Sequence, residues 1–430
     1  MQVTFPYPGF EPLEVPAGNF LGVFAPRETA PVDEDEVIGN GFQHFIDTGP
    51  LVDICRRAKK GATGGRVKVT VVIDDNTRPT PVKKILPYLF RHLAKAGIGL
   101  EDITLLVGLG THRRLSPAEL IAKVGPDIYG RVKVVQHDYR DEGNLVHLGC
   151  TAKGTPVIVN RLAVESDLLL ALGSIVPHRV AGFSGGGKMI QPGISSAATT
   201  GQTHWLSARV KGEKILGQVE NEVRQEIDAV ARLAGLDLII NSVLSPDGRV
   251  AGLVIGDLVA AHRQGAMLSR RIYGVNIPEQ ADIVITDSYP ADIEMWQAAK
   301  GIYSGNLALK PGGIIILVTP CPEGVAVQHP QIEQFGYGSL AEVEALVARG
   351  EIEDLTVAAH LVHVGEVIKE KGTGILVSQG INKETAARIG FIPAASPRVA
   401  LDMALAMKGK DASIIVLRHG GDILPLVGEE

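Results

Sequence analysis

Short apolar runs of strand length alternate with amphipathic helical stretches along almost the whole chain, and that alternation leaves few folds open. Residues 66–73 read as a strand and 81–95 as a helix, with Ile85, Leu86, Leu89 and Leu93 on one stripe. Residues 103–107 read as a strand, 116–124 as a helix, and 132–136, 156–160 and 168–173 as further strands. A long charged helix is expected over 218–233. A second series starts near Tyr273, with strands at 281–286, 313–319, 374–377 and 413–417. Helices are expected between them, among them 292–299, 340–349, 386–389 and 397–407. This order implies an α/β fold with largely parallel sheets. Two series imply two α/β domains facing a central cleft, 1–272 and 273–430. No internal repeat or low-complexity tract interrupts them.

Composition narrows the function classes. The chain has 430 residues, 45% hydrophobic and 21% charged, the balance of an ordinary globular protein. A net charge of −6 gives no basic face for nucleic acid, so none is expected as a partner. The apolar runs fall far short of the roughly 18 residues that a membrane span needs. The first residues carry no charged and apolar pattern of a signal peptide. Cys55, Cys150 and Cys321 are too far apart for a zinc motif or a disulfide framework. A cytoplasmic, reducing location is the expectation.

The chemistry concentrates at strand ends. After the strand at 168–173 comes Pro177-His178-Arg179-Val180-Ala181-Gly182-Phe183-Ser184-Gly185-Gly186-Gly187-Lys188. Glycines let backbone approach a ligand closely. A lysine there binds an anion or acts as a nucleophile. His178 and His204 add proton transfer or metal ligation. Gly182 to Lys188 also fits seven positions of a nucleotide P-loop, but Met189 stands where a Ser or Thr hydroxyl should hold Mg²⁺. Eight residues also separate the strand from Gly182, where a P-loop has none. A merely flexible loop is the third reading.

Three other constellations lie in similar places. Asp74-Asp75-Asn76-Thr77-Arg78-Pro79-Thr80-Pro81 follows the first strand. Thr80 and Pro81 suit a helix N-cap and first turn, Arg78 suits a carboxylate or phosphate, and Asp75 is placed to orient Arg78 or to accept ligand hydroxyls. Gly108-Leu109-Gly110-Thr111-His112 follows the second strand, and a histidine beside a glycine turn at such an end suits proton transfer. In the second unit, Trp296-Gln297-Ala298-Ala299-Lys300 puts Gln297 and Lys300 on one helical face. The remaining histidines, His360 and His363 among them, are expected to be structural.

Taken in order, the four motifs resemble the nickel-dependent lactate racemase family. They read Asp-Asp-x-Thr-Arg-Pro-Thr-Pro, Gly-Thr-His-Arg, Pro-His-x-x-Ala-Gly-Phe-Ser-Gly-Gly-x-Lys, a histidine sixteen residues after that lysine, and Gln-x-x-Lys. The resemblance implies a racemase or epimerase of a 2-hydroxy acid that works by reversible hydride transfer. It implies a nickel pincer nucleotide, a pyridinium mononucleotide with two sulfur-bearing arms, attached at Lys188 through a thioamide. His204 would be the protein ligand to nickel, and His112 and His178 the acid/base pair. Asp75, Thr77, Gly185, Gly186 and Gly187 would border the cofactor. Arg78, Gln297, Lys300 and Trp296 would meet the substrate. Cofactor-loading proteins would be partners.

Two departures bear on the substrate. Trp296 stands where the lactate enzymes would carry a tyrosine, and Arg179 where they would carry an aromatic residue. The larger indole and the extra cation suit a different or larger 2-hydroxy acid than lactate, including one with a second carboxylate, with lactate itself still open. A P-loop-like nucleotide-binding enzyme and a non-catalytic binding protein remain the alternatives.

Overall fold

A computed structural model describes residues 1–28, 32–62 and 66–428. Its first sheet has seven strands, in the order Phe45–Ile46, Val250–Gly256, Leu238–Leu244, Leu168–Ser174, Val69–Asp74, Ile103–Gly108, Lys133–Gln136. All neighbours are parallel except Leu238–Leu244 with Val250–Gly256. Val69–Asp74 and Leu168–Ser174 are buried along their whole length. A parallel strand covered on both faces needs such a continuous apolar run. Helix Val82–Lys95 lays Val82, Ile85, Leu86, Leu89 and Leu93 against one face of this sheet, as its periodicity predicts.

The second sheet is wholly parallel, in the order Ile392–Pro393, Thr373–Ser378, Leu309–Thr319, Ala281–Asp287, Ile414–Leu417, Phe20–Phe24. In each sheet the chain leaves a central strand in one direction and later returns on its other side. The first such switch lies between Val69–Asp74 and Leu168–Ser174, the second between Ala281–Asp287 and Ile414–Leu417. Diverging connections leave a crevice at the carboxyl ends of such strands. Here both crevices open on one cleft. A single apolar cluster runs beneath it, joining Ile175, Phe183 and Trp205 of the first unit to Met295, Ile302 and Leu361 of the second.

The structure corrects the expected 1–272 unit at its N-terminal end. Strand Phe20–Phe24 pairs with Ile414–Leu417 and forms the edge of the second sheet. Val3, Phe5, Tyr7, Leu13 and Val15 pack into that sheet's core with Ile283, Ile314 and Val416. The chain therefore starts in the second unit and crosses to the first only afterwards. The apolar pattern reveals a strand, but not which distant edge will accept it.

Helices Ala197–Ala208 and Leu355–Gly365 also escaped the periodicity. Every residue from Thr356 to Gly365 is buried, and Ala197–Ala208 buries Thr199, Thr200, Gly201, Thr203, Trp205, Ser207 and Ala208. A helix enclosed on several sides has no polar face to mark its period. Helix Val82–Lys95 starts one residue later than expected, with Pro81 rather than Thr80 at its N-cap. The Thr80 hydroxyl is bonded instead to Asp74 Oδ2.

Deletion of residues 1–24 tests the assignment of the N-terminal strand. At about 1.5–3 kcal/mol for each buried side chain, losing Val3, Phe5, Leu13 and Val15 forfeits roughly 6–12 kcal/mol. That is comparable with the stability of a whole domain. The truncated chain should show protease cleavage within residues 281–417 while the first unit stays protected. Equal protection of both units would contradict the assignment.

Candidate active site

The cleft encloses about 170 Å³ and draws its lining from both units. Asp75, Thr77, Arg78, His112, His178, Gly185, Lys188 and His204 line it from the first, and Trp296, Gln297 and Lys300 from the second. The expected site residues thus converge, apart from two glycines. Gly186 and Gly187 face protein: a Cβ on Gly186 would meet His262 at 2.7 Å, and one on Gly187 would meet Asp228 Oδ1 at 3.1 Å. Their role is to let the loop pack against its scaffold rather than to admit a ligand.

The Asp75 loop is built around a buried carboxylate. Asp75 Oδ1 accepts from the Thr77 N–H (3.0 Å) and hydroxyl (2.5 Å). Its Oδ2 lies 2.6 Å from His112 Nδ1. Asp75 therefore orients His112, where the sequence pointed to Arg78. Burial opposes the charge on Asp75, but His112, Thr77 and Arg78 outweigh it and hold its pKa well below the ordinary value. An ionised Asp75 fixes the His112 proton on Nδ1 and leaves Nε2 as the acceptor facing the cleft. Gln297 Nε2 stands 3.5 Å from that atom, reaching it from the other unit. Arg78 Nη1 donates to the Thr77 carbonyl and hydroxyl at 3.1 and 3.2 Å.

Lys123 was not visible as a site residue in the sequence. Its Nζ donates to the carbonyls of Asp75 and Arg78 at 2.8 and 2.9 Å and pairs with Asp74 at 2.6 Å. It comes from helix Pro117–Val124, so only the fold brings it under the loop.

The glycine loop forms a short hairpin, Pro177–His178 with Gly182–Phe183, then a 3-10 turn, Gly186–Met189. The next α-helix starts only at Ala197, so no helix N-terminus cradles the loop as in a P-loop. Arg224, fully buried, holds the loop from behind through the carbonyls of Ala181, Phe183 and Gly185. The Val180 N–H donates to His178 Nδ1 at 3.1 Å, so in the neutral ring the proton sits on Nε2. His112 and His178 thus present opposite faces of imidazole chemistry, one acceptor and one donor.

Lys188 has no hydrogen-bond or ion-pair partner among the described residues. Burial, then the charges of Arg224, Arg78 and Lys300, push its pKa well below the usual lysine value. Burial and Arg78 likewise bring Lys300 down to about 7, against the pull of Asp422 and Asp75. The result is a cleft in which three basic side chains are crowded together and two of them give up their protons readily. His204 donates from Nδ1 to the Thr200 carbonyl (2.9 Å), which leaves its Nε2 lone pair free.

Helix Met295–Ala308 presents Trp296, Gln297, Lys300, Tyr303 and Ser304 to the cleft. Trp296 is stacked between His329 and His360, each with ring centroids 4.3 Å away. His360 and His363, expected to be structural, line the cleft too and are held by Tyr303, Tyr337 and Ser207. Their helix had no polar face to reveal that they share a wall. Burial lowers the pKa of His360 to about 3 and takes His363 well below its usual value, so both are neutral. Arg179 does not offer its charge to a ligand. Its guanidinium is buried against Glu366, 2.9 Å away.

The lactate racemase N-terminal domain matches residues 9–215, and the lactate racemase C-terminal domain matches 277–424. The chain belongs to the lactate racemase family. A lactate racemase of Thermoanaerobacterium thermosaccharolyticum is 32% identical over 68% of this chain and 67% of its own length. One from Lactiplantibacillus plantarum is also 32% identical, over 68% of each chain. The structure of the lactate racemase apoprotein from T. thermosaccharolyticum superposes with a TM-score of 0.86 at 27% identity, covering all of both chains. A crystal structure from Thermotoga maritima shares the fold, with a TM-score of 0.71 at 22% identity, over 93% of this chain and all of the other. As a member of this family the chain is an isomerase, neither a P-loop nucleotide enzyme nor a non-catalytic binding protein. No helix among the described residues is long and apolar enough to cross a membrane.

Buried neutral histidines set the acid limit of stability. His137 titrates near 4 and His360 near 3, because burial disfavours the cation, and His262 lies well below its usual value for the same reason. The unfolded chain takes up these protons near pH 6.5, before the folded one does. Their contribution is therefore complete above about pH 6.5 and is lost as pH falls, through about 4 for His137 and about 3 for His360. Thermal melts of the apoprotein should show Tm falling steadily across that window. A flat Tm from pH 7 to 4 would contradict the burial of these rings.

Proposed function

We propose that this family member racemises or epimerises a 2-hydroxy acid, using a nickel pincer nucleotide attached to Lys188 by a thioamide, with His204 as the protein ligand to nickel. The observation that carries this reading is the pairing of an unpartnered lysine with a histidine whose Nδ1 is already committed, both on one cleft. A free amine is the form that makes an acyl-type bond. A histidine pinned through Nδ1 is the usual form of a metal-binding imidazole. No three His, Cys, Asp or Glu side chains among the described residues are grouped to hold a metal. A cofactor that brings its own sulfur donors fits such a site, because soft donors and imidazole together suit nickel. Lys123, Arg224 and the Thr77 loop fit it as rigid support. When bound, the group supplies a reversible hydride acceptor, which no side chain here provides.

The chain's own residues supply binding and proton transfer. Arg78 and Lys300 suit the substrate carboxylate, and its negative charge relieves their mutual repulsion. The hydroxyl proton goes to His112 Nε2, and ionised Asp75 stabilises the imidazolium that forms. Gln297 donates toward the same point and fixes the oxygen that loses its proton. His178, on the glycine loop, serves the oxygen in the opposite hand of the substrate. Burial of the site keeps bulk water from the keto acid and strengthens each charge contact.

The rest of the wall, Trp296, Tyr303, His360 and His363, is aromatic and uncharged. With Arg179 committed to Glu366, a second carboxylate has no counter-charge there. This reverses the preference drawn from the sequence. Loaded enzyme should turn over 2-hydroxy acids with uncharged side groups at least about ten-fold more efficiently than malate, since an unpaired buried charge is costly. Chiral chromatography of enantiopure lactate, malate and larger uncharged hydroxy acids would measure this. A preference for malate would contradict the uncharged wall. No interconversion of any of them by loaded enzyme would remove the proposed activity. Replacing Asp75 by Asn should lower kcat by about 100-fold or more, by analogy with a carboxylate that orients a catalytic histidine. A near-wild-type kcat in that variant would remove Asp75 from the proton-transfer machinery.

A further inference from the structure

Arg179 is a buried guanidinium, 4% exposed, immediately after His178. It touches three elements, and each carries or adjoins residues of the cleft. Its own backbone belongs to the hairpin segment that holds His178. Its Nη2 and Nη1 donate to the carbonyls of Val210 and Ser207 at 3.0 and 3.4 Å, at the C-terminal end of the helix Ala197–Ala208 that carries His204. Its Nη2 also pairs with Glu366 Oε2 at 2.9 Å, in the second unit. Glu366 opens a π-helical turn, Glu366–Lys371, directly after the helix Leu355–Gly365 that carries His360 and His363. Glu366 Oε1 accepts in addition from the Gly212 N–H at 3.0 Å. Gly212 must be a glycine, since a Cβ there would meet Arg179 Nε at 2.9 Å.

A planar guanidinium with donors in several directions suits this junction, whereas an ammonium on a flexible stem would not span it. A buried pair of this kind is weak evidence for added stability, because desolvation offsets most of its attraction. Its geometry has a different consequence. The hairpin of His178 and the helix of His204 are both referenced to the unit that supplies Gln297 and Lys300. Two neighbouring bridges are exposed, Lys211 with Glu370 and Arg209 with Glu344, and exposed pairs contribute little. Ser207 with His363, 3.0 Å apart, is a further buried polar tie at this junction.

We propose that Arg179 and Glu366 form an interdomain lock, with Arg179 as a positioning residue that sets His178 and His204 against the second unit. This rests on the proposed function for its catalytic consequence. The lock itself is a statement about the apoprotein.

Two measurements test it. The first compares Arg179→Met, Glu366→Leu and the double variant by Tm and by kcat and KM of loaded enzyme. Each single variant leaves one buried charge unpaired and should lower Tm. The double variant removes both charges and should recover most of that loss. Its kcat should nevertheless stay at least about ten-fold below wild type, since small misplacement of reacting groups is costly. KM should change less than kcat. Arg179→Lys should fall between Arg179→Met and wild type. Recovery of kcat together with Tm in the double variant would reduce the pair to a packing role and overturn the proposal.

The second measurement needs no cofactor. The chain has two tryptophans. Trp205 is buried in the core, so acrylamide quenching of the apoprotein reports mainly on Trp296 at the cleft. Quenching should rise in the double variant as the units loosen. Unchanged quenching would overturn the lock. If wild-type loaded enzyme converts no hydroxy acid, the proposed function fails, and quenching still decides whether the lock exists.

Discussion

The site depends on the burial of three basic side chains in one cleft, against the partial pull of Asp75 and Asp422. Lys188, Arg78 and Lys300 share one cleft; Arg78 and Lys300 make the charged form of Lys188 less favourable, and Arg78 does the same to Lys300. Desolvation adds to this, so Lys188 loses its proton easily and Lys300 titrates near neutrality. The same concentration of cations attracts a carboxylate, whose arrival repays part of the cost. This crowding suits the anionic substrate proposed for a chain of net charge −6.

Such a cleft needs an unyielding frame, and buried charges behind the lining provide it. Lys123 staples the Asp75 loop through its carbonyls. Arg224 does the same for the glycine loop. Asp75 fixes the ring of His112, and Arg179 joins the His178 hairpin to Glu366. None of these is a surface ion pair. Each spends its charge on backbone carbonyls or on one partner with defined geometry, which is how buried polar groups specify a conformation. The two switch points then deliver these loops to one place, because both sheets end their central strands at the cleft.

The fold class and most lining residues were legible because they sit where sequence signals are local. His112, Arg78 and Lys188 each follow a buried strand, and Gln297 and Lys300 share a helical turn. The signals failed where a long-range partner decides the outcome. Arg179 looked like a free cation because Glu366 lies 187 residues away. Lys123 looked like an ordinary helical lysine until the fold placed it beneath the loop. The strand Phe20–Phe24 joins the second sheet by a pairing almost four hundred residues long. The spacing of His360 and His363 allows a shared helical face, but their helix is buried all round and shows no period that would turn that face to the cleft. Gly186 and Gly187 were read toward a ligand, although the space they lack a side chain for is filled by His262 and Asp228.

The central claim is that Lys188 carries a nickel-binding group completed by His204. The most direct test is intact mass and nickel content of protein purified from cells that make the pincer cofactor, beside a Lys188→Ala control. The account predicts a covalent adduct and about one nickel per chain, as one histidine ligand in one cleft implies, with the adduct absent from the control. Protein without adduct or nickel, from cells that load another family member, would contradict it.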